Sequence, residues 1–321
     1  MLLNESGRVL VGVNINSPYQ LMSFVSYFQA NANNFERAVV FKRDVWGYNQ
    51  IYQPYLDLLS TLNIQLIEQQ MSPKSLGVYF KDEGISVVTL VIINDVNPQY
   101  YHYSGLSVEL VIIADGLGYY GDARSRFLAT QRESDFSKLA LFKTALNYYI
   151  KKVYDSLRNP KRFTIAEVKQ NIVINNDYTY SLKSVFDKVI LEPQLKRPAL
   201  IFVSQPLVKL GLMSQQAYDD HLDFLQRFAD NKGLDFFIKP HPSEIDDLRK
   251  YNIFNSPAII EHAMYYESNI KCVVGFSSTS LINIKLLYDV EVWRLDLLDA
   301  SLSSKQNKLL NMIDRLEFSS L

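Results

Sequence analysis

The feature that most constrains the fold is a regular alternation of short apolar runs with segments of helical spacing. In the first half of the chain, the apolar runs lie at 9–15, 38–41, 64–67, 85–93 and 108–114. Ser17 and Pro18 predict the N-cap and first residue of a helix after the first run, and 51–62 predicts a second helix. This alternation is typical of a doubly wound parallel sheet.

A second series of the same kind begins at Ala199. Its apolar runs lie at 200–203, 235–238, 258–260, 271–274 and 290–295. Helices are predicted over 215–231 and from Thr279 onward. The stretch 163–198 has no clear period and contains Asn-Asn-Asp, so we expect irregular structure and a domain boundary there. The chain is therefore predicted to form an N-terminal lobe over 1–185 and a C-terminal lobe over 186–321.

Charge and cysteine content exclude several classes of protein. Lys+Arg 33 against Asp+Glu 34 provides no basic field for nucleic acid. The single cysteine forms no intrachain disulfide, and no Cys/His cluster has zinc spacing, so no metal is predicted. The start of the sequence lacks the pattern of a secretory signal, and the apolar runs fall short of the roughly 20 residues of a membrane-spanning helix. A cytoplasmic location is expected.

The segment 138–162 is helical in spacing and rich in lysine and arginine. A solvated helix at the edge of the first lobe accounts for this pattern. The alternative is peripheral contact between this basic helix and the anionic inner membrane.

Ligand sites in open parallel sheets lie beyond the carboxyl ends of the strands, and polar motifs stand there in this sequence. Asp115-Gly116 follows the run 108–114, where a carboxylate serves either as a general base or as a turn cap. Lys239-Pro240-His241-Pro242 follows the run 235–238. Its prolines stiffen a loop that holds Lys239 and His241, either as donors for a phosphate or, for the histidine, as a buried structural residue.

Two further candidates lie later in the chain. Ser277 and Ser278 precede the helix at Thr279, where hydroxyls and free N–H groups form a phosphate site or simply cap the helix. Glu261 follows the run 258–260 and is either a ligand for ribose hydroxyls or an ordinary surface glutamate.

These motifs occur together in an order that resembles one family. The matching pieces are Ser17-Pro18-Tyr19-Gln20-Leu21, Asp115-Gly116, Ser204-Gln205-Pro206, Lys239-Pro240-His241-Pro242, Glu261 and Ser277-Ser278. The set resembles bacterial sialyltransferases, especially the lipooligosaccharide sialyltransferase and capsule polysialyltransferase groups. The resemblance implies an α/β fold of GT-B type, in which two Rossmann-like lobes enclose the active site in the cleft between them.

The resemblance also implies a role for each motif. Asp115 would be the general base, His241 would contact the phosphate of CMP, and Glu261 would bind the ribose. The donor site implied by the family is completed by the phosphate-binding pair Ser277 and Ser278 and by Lys239, Pro242, Ser204 and Gln205. One departure is Ala114, where the family usually has a second acidic residue, which puts the usual acceptor in doubt.

The implied reaction is an inverting transfer of a nonulosonic acid, sialic acid or a relative, from CMP to a glycan of the capsule or lipooligosaccharide. No cofactor or metal is expected, because CMP carries one phosphate that protein donors serve. Four alternatives remain open at this point. They are a CMP-Kdo-dependent capsule transferase, a polyol phosphate transferase of teichoic-acid type, a nucleotide-sugar epimerase, and a non-catalytic nucleotide-binding module.

Overall fold

The computed structural model describes the chain in blocks: residues 7–43, 49–93, 106–113, 116–125, 127–128, 142–143, 146–150, 153, 157, 159–242, 248, 250–296 and 302–317. The chain divides into two compact units. The first unit comprises Met1–Tyr119, Phe136–Glu167 and Val173–Val189. The second comprises Tyr120–Asp135, Val168–Ile172 and Ile190–Leu321.

A parallel sheet forms the centre of the first unit. Its strands among the described residues are β1 Arg8–Ile15, β2 Arg37–Lys42, β3 Ile64–Ile67, β4 Val87–Ile93, β5 Ser107–Ile113 and β6 Lys161–Phe163. They lie in the order β3-β2-β1-β4-β5-β6, and every neighbouring pair is parallel. This is the strand order of dinucleotide-binding Rossmann folds. The predicted strands of the first half are confirmed.

Outside the segment 138–162, the described helices of the first unit are α1 Pro18–Ala30, α2 Asn49–Thr61, α3 Pro73–Asp82 and α4 Asn176–Phe186. Three of these helices, α1, α3 and α4, begin at side-chain caps. The Ser17 hydroxyl accepts a hydrogen bond from the Gln20 N–H, which confirms the predicted N-cap. The predicted helix over 51–62 corresponds to α2. Helix α3 was not predicted, although Ser72 and Pro73 repeat the same start signal.

The prediction of irregular structure over 163–198 is wrong. The stretch contains β7 Ala166–Val168 and β8 Ile172–Ile174, which pair with each other, and helix α4. Asn175, from the Asn-Asn-Asp motif, caps α4 by accepting from the Tyr178 N–H. The buried Tyr178 hydroxyl lies 2.7 Å from Ser23 Oγ on α1, which anchors α4 to a helix far away in sequence.

Only part of the basic segment 138–162 is described. The backbone is helical at 142–143, 146–150, 153 and 157, whereas Lys161 and Arg162 belong to strand β6, so the predicted helix does not reach 162. Its described apolar side chains are largely exposed: Phe142, Leu146, Tyr149, Val153 and Leu157. Among the described residues, no helix has both the length and the apolar character needed to cross a membrane.

The second unit contains a second parallel sheet. Its described strands are β9 Ala199–Val203, β10 Asp235–Lys239, β11 Ile270–Gly275, β12 Glu291–Arg294 and β13 Asp314–Arg315, in the order β10-β9-β11-β12-β13. Its described helices are α5 Gln215–Asn231, α6 Ile260–Tyr266, α7 Thr279–Leu287 and α8 Ser304–Leu310. The predicted bounds of α5 and the predicted start of α7 are confirmed. This strand order is that of flavodoxin-like nucleotide-binding sheets.

The core of the second unit follows from periodicity. Helix α5 buries Tyr218, Leu222 and Leu225 against β9 and β10, which contribute Phe202 and Phe236. These spacings of four and three residues place the side chains on one helical face. The unit therefore has an apolar core that holds its sheet and helices together.

The strand predicted over 258–260 is not present. Residue Ile259 is the N-cap of α6, which begins at Ile260. Ala258 and Ile260 are buried by packing rather than by strand pairing. Three apolar residues are too few for periodicity to distinguish a buried strand from the start of a helix.

Candidate functional site

Three strands of the second unit end side by side. Val203, the last residue of β9, pairs with Lys239 at the end of β10 and with Gly275 at the end of β11. The loops that follow these three strands therefore begin at the same level, at the carboxyl edge of the sheet. The strand order reverses between β9 and β11, which is where ligands bind in open α/β sheets.

Gly275 permits this close approach. A Cβ atom at Gly275 would lie 3.2 Å from the Val203 carbonyl oxygen, closer than side chains normally come to backbone. A larger residue would therefore push β11 away from β9 and move the loop that carries Ser277.

Hydrogen bonds through Ser204 join the loops after β9 and β10. Ser204 is 1% exposed, and its N–H donates to the Lys239 carbonyl at 3.1 Å. Its hydroxyl accepts from the His241 N–H at 2.9 Å. The structure thus brings three of the predicted site residues into direct contact, and the backbone at His241 is held by a buried side chain.

The His241 imidazole is partly buried beside the turn that carries Lys209. Burial lowers the pKa of His241, and the positive charge of Lys209 lowers it further. The ring is therefore mainly neutral near pH 7 and presents one N–H donor and one acceptor. A phosphate anion beside it would favour the charged form and oppose the effect of burial.

Gln205 and Pro242 flank these two residues. Within the described part of the chain, the Gln205 side-chain oxygen is buried and has no hydrogen-bond partner. Pro242 directly follows His241, and residues 243–247 lie outside the described residues. The donor-binding roles of Gln205 and Pro242 stay predictions.

Lys239 is the last residue of β10 rather than part of the loop. It is 9% exposed, and its ammonium donates to the Ser256 carbonyl at 2.5 Å. The Nζ atom also lies 5.7 Å from the centre of the Phe254 ring. Burial lowers the pKa of Lys239 to about 8. Its side chain has an internal partner, and its predicted contact with phosphate stays a prediction.

The serine turn after β11 is built at the start of α7. Ser278 is the N-cap, and its hydroxyl accepts from the Ser280 N–H at 3.3 Å. Ser277 follows the buried Phe276, whose ring packs 5.3 Å from the His221 ring on α5. Capping and phosphate binding are compatible here, because a helix N-terminus has several N–H groups without helical partners.

Glu261 lies in the first turn of α6, not at the end of a strand. It is 3% exposed, which excludes an ordinary surface glutamate. Its Oε1 accepts from the Asn283 amide at 2.9 Å, and its carbonyl accepts from the Tyr288 hydroxyl at 2.5 Å. Burial raises the pKa of Glu261, and hydrogen bonds from Asn283, its own N–H and Ser280 oppose that rise.

The partners of Glu261 were missed from sequence. Ser280 and Asn283 are three residues apart, so they share one face of α7, and Asn283 lies between two isoleucines in the apolar stretch 281–284. A polar residue on the buried face of an apolar helix is a signal for a buried partner. The partner itself, 22 residues earlier, has no sequence signal.

Asp115 and Ala114 lie outside the described residues, so the role of Asp115 as a base stays a prediction. The described chain resumes at Gly116, which has φ +67° and begins the 3₁₀ helix Gly116–Tyr120. This left-handed conformation is one that glycine adopts without steric cost. The predicted turn after β5 is therefore confirmed at its glycine.

Comparison with known proteins provides a family match. A model of the family described as alpha-2,8-polysialyltransferase (POLYST) matches residues 13–296. No curated protein sequence matches the chain.

Solved structures provide fold matches. UGT71G1 of Medicago truncatula, in complex with UDP-glucose, is similar with a TM-score of 0.51 and 10% identity, covering 99% of this chain and 87% of that one. The GT-B domain of a Photobacterium damselae sialyltransferase has a TM-score of 0.49 and 13% identity, covering 95% and 96%. The 2,6-sialyltransferase of Photobacterium sp. JT-ISH-224, solved with CMP and lactose, has a TM-score of 0.48 and 10% identity, covering 95% and 75%. The predicted GT-B class, with two Rossmann-like units, is confirmed.

Proposed function

Because the chain belongs to the alpha-2,8-polysialyltransferase family and is a sialyltransferase-like glycosyltransferase, we propose that its donor is a CMP-activated nonulosonic acid. The sugar is sialic acid or a relative such as legionaminic or pseudaminic acid. The acceptor is a surface glycan of the capsule or lipooligosaccharide.

One arrangement supports the CMP donor above all others. The loops after β9, β10 and β11 begin at the same level of the carboxyl edge of the sheet in the second unit. They carry Ser204, His241 and Ser277. Ser204 and Ser277 supply hydroxyls, His241 supplies an imidazole, and the start of α7 supplies backbone N–H groups, which together are groups that bind a phosphate. Glu261, beside the first turn of α7, supplies the acceptor that ribose hydroxyls need.

The proposed reaction is a single in-line displacement at the anomeric carbon. The acceptor oxygen forms a bond to that carbon while the bond to the phosphate oxygen breaks, and CMP leaves with the electron pair. Asp115 takes the proton of the acceptor hydroxyl. His241, Ser277 and Ser278 stabilise the negative charge on the departing phosphate. The configuration at the anomeric carbon is inverted.

No metal or cofactor takes part in this scheme. A diphosphate leaving group carries more charge and commonly needs a cation, whereas the single phosphate of CMP is within the capacity of protein donors.

We further propose a cytoplasmic location with peripheral attachment to the inner membrane through the segment 138–162. Its described apolar residues Phe142, Tyr149 and Leu157 are exposed, and Lys143 lies among them in sequence. Exposed apolar groups with neighbouring lysines suit an anionic lipid surface. Co-sedimentation with vesicles of anionic and of neutral lipid tests this proposal. Equal partition with both kinds of vesicle, or with neither, would contradict it.

A donor panel tests the central proposal. The protein is incubated with CMP-sialic, CMP-legionaminic, CMP-pseudaminic acid or CMP-Kdo, with and without capsule-type oligosaccharides, and CMP release is measured. We expect release with at least one CMP-nonulosonate, stimulated by acceptor and strongly reduced in Asp115→Asn. Release from CMP-Kdo alone would favour the Kdo alternative. CMP binding without release from any donor would favour a non-catalytic module.

A further inference from the structure

Helix α7 contains a buried amide at a position where an apolar residue would fit. Asn283 lies between Ile282 and Ile284 and is 2% exposed. Asparagine is a poorer helix former than leucine, and burying an amide is unfavourable unless it is hydrogen bonded. Its Nδ2 donates to Glu261 Oε1 at 2.9 Å. Asn283 therefore has a specific partner, and that partner is a carboxylate.

Glu261 receives three contacts from α7 and its C-cap. Ser280 and Asn283 donate to its carboxylate, and the Tyr288 hydroxyl donates to its carbonyl. The N-cap of α7 is Ser278. One short helix thus carries the proposed phosphate-binding turn and also holds the proposed ribose ligand. The distance between the phosphate and ribose subsites is then determined by α7 itself.

These donors occupy most of the hydrogen-bond acceptor positions of the Glu261 carboxylate. It has about four acceptor positions, and the Asn283 amide, the Ser280 hydroxyl and its own N–H occupy three. The remaining position suits one hydroxyl of a ribose. Burial raises the pKa of Glu261, and the same three hydrogen bonds oppose that rise because they favour the charged form.

We propose that Asn283 is a positioning residue: it orients the Glu261 carboxylate toward a ribose hydroxyl of the donor nucleotide and so determines the preference for a ribonucleotide over a deoxyribonucleotide. This inference rests on the proposed function, since it requires CMP as part of the donor. It assigns a specificity role to a residue that touches the nucleotide only through Glu261.

The test is a titration of the full-length protein with CMP, 2′-deoxyCMP and 3′-deoxyCMP. Wild type is expected to bind CMP roughly tenfold more tightly than at least one of the deoxy analogues, as one hydrogen bond to a charged group provides. In Asn283→Leu, which keeps the branched shape of the side chain but removes the donor, that ratio should fall toward one. Asn283→Ser, whose hydroxyl is too short to reach the carboxylate, should behave likewise and replaces the leucine variant if that one does not fold.

Asn269→Leu is the matched control. Asn269 also donates an amide hydrogen bond within the second unit, to the Leu195 carbonyl at 2.8 Å, but it precedes β11 at the opposite edge of the sheet. Asn269→Leu should lower thermal stability as Asn283→Leu does, and it should leave the ratio of affinities for CMP and the deoxy analogue unchanged.

The outcomes distinguish failure of the proposed CMP donor from failure of the role of Asn283. If wild type does not bind CMP, the proposed function fails, and this inference fails with it. If wild type binds CMP without preference for either hydroxyl, or keeps the preference in a folded Glu261→Leu variant, which has no acceptor, then Glu261 is not the ribose ligand. If Glu261→Leu loses the preference while the folded Asn283 variants retain it, only the positioning role of Asn283 is overturned.

Discussion

Replacement of Lys239 by methionine should change how the stability of the protein depends on pH. Lys239 is 9% exposed and its ammonium donates to the Ser256 carbonyl, and burial lowers its pKa from the ordinary value of 10.5 to about 8. The difference of about 2.5 between the two values corresponds to about 3 kcal/mol of folding free energy.

The sign of this pH dependence follows from which state, folded or unfolded, holds the proton of Lys239. Between about pH 8 and pH 10.5 the unfolded chain holds a proton on Lys239 that the folded protein has released. The free energy of unfolding therefore rises with pH across this window. The gain in the free energy of unfolding from deprotonated Lys239 is complete above pH 10.5, and this gain is lost as the pH falls through about 8.

The assay is urea unfolding of wild type and Lys239→Met at pH 7 and at pH 10.5. Other groups titrate in both proteins, so the wild-type-minus-variant difference isolates Lys239, and it should increase by about 3 kcal/mol at the higher pH. Lys271→Met is a control for loss of charge, because Lys271 is exposed and also donates to a backbone carbonyl, that of Ser268, at 2.7 Å. An equal difference at both pH values would refute the argument from burial.

Four further results are expected. Asp115→Asn should lower turnover by roughly 10² to 10⁴ in steady-state kinetics with little change in CMP affinity, and near-normal turnover would mean that another group is the base. His241→Ala should weaken CMP binding in calorimetry and also slow turnover, whereas unchanged affinity would make the loop purely structural. Ser204→Ala should lower the free energy of unfolding in urea by about 1 kcal/mol, because the His241 N–H loses its acceptor; no change would discount that bond. Activity should survive EDTA, and loss that Mg²⁺ or Mn²⁺ reverses would favour a diphosphate donor.

Much of the fold was predictable because its signals are local. The cap at Ser17, the bounds of α5 and the start of α7 depend on residues within one or two helical turns, and all three are confirmed. A prediction was wrong where one local signal fits two structures, since asparagine occurs both in loops and at helix N-caps. Asn175 was taken as loop sequence, although it is the cap of α4.

The candidate site was predictable only in outline. Polar residues after strand-like runs marked His241 and Ser277 as neighbours of one sheet edge, since strand ends in parallel sheets share an edge. Lys239 was assigned to the same loop, but it is the last residue of β10 and its ammonium donates to Ser256. Sequence spacing does not predict which way a side chain turns at the end of a strand.

The sequence by itself determined the alternation of strands and helices, the two-unit organisation and the chemical types of the candidate residues, because periodicity and capping act over a few residues. Only the tertiary structure decided that β9 lies between β10 and β11, that Ser204 accepts from His241, and that Asn283 donates to Glu261. Such contacts join residues tens of positions apart. They depend on strand order and register, which result from packing of the whole unit rather than from the preference of any one segment.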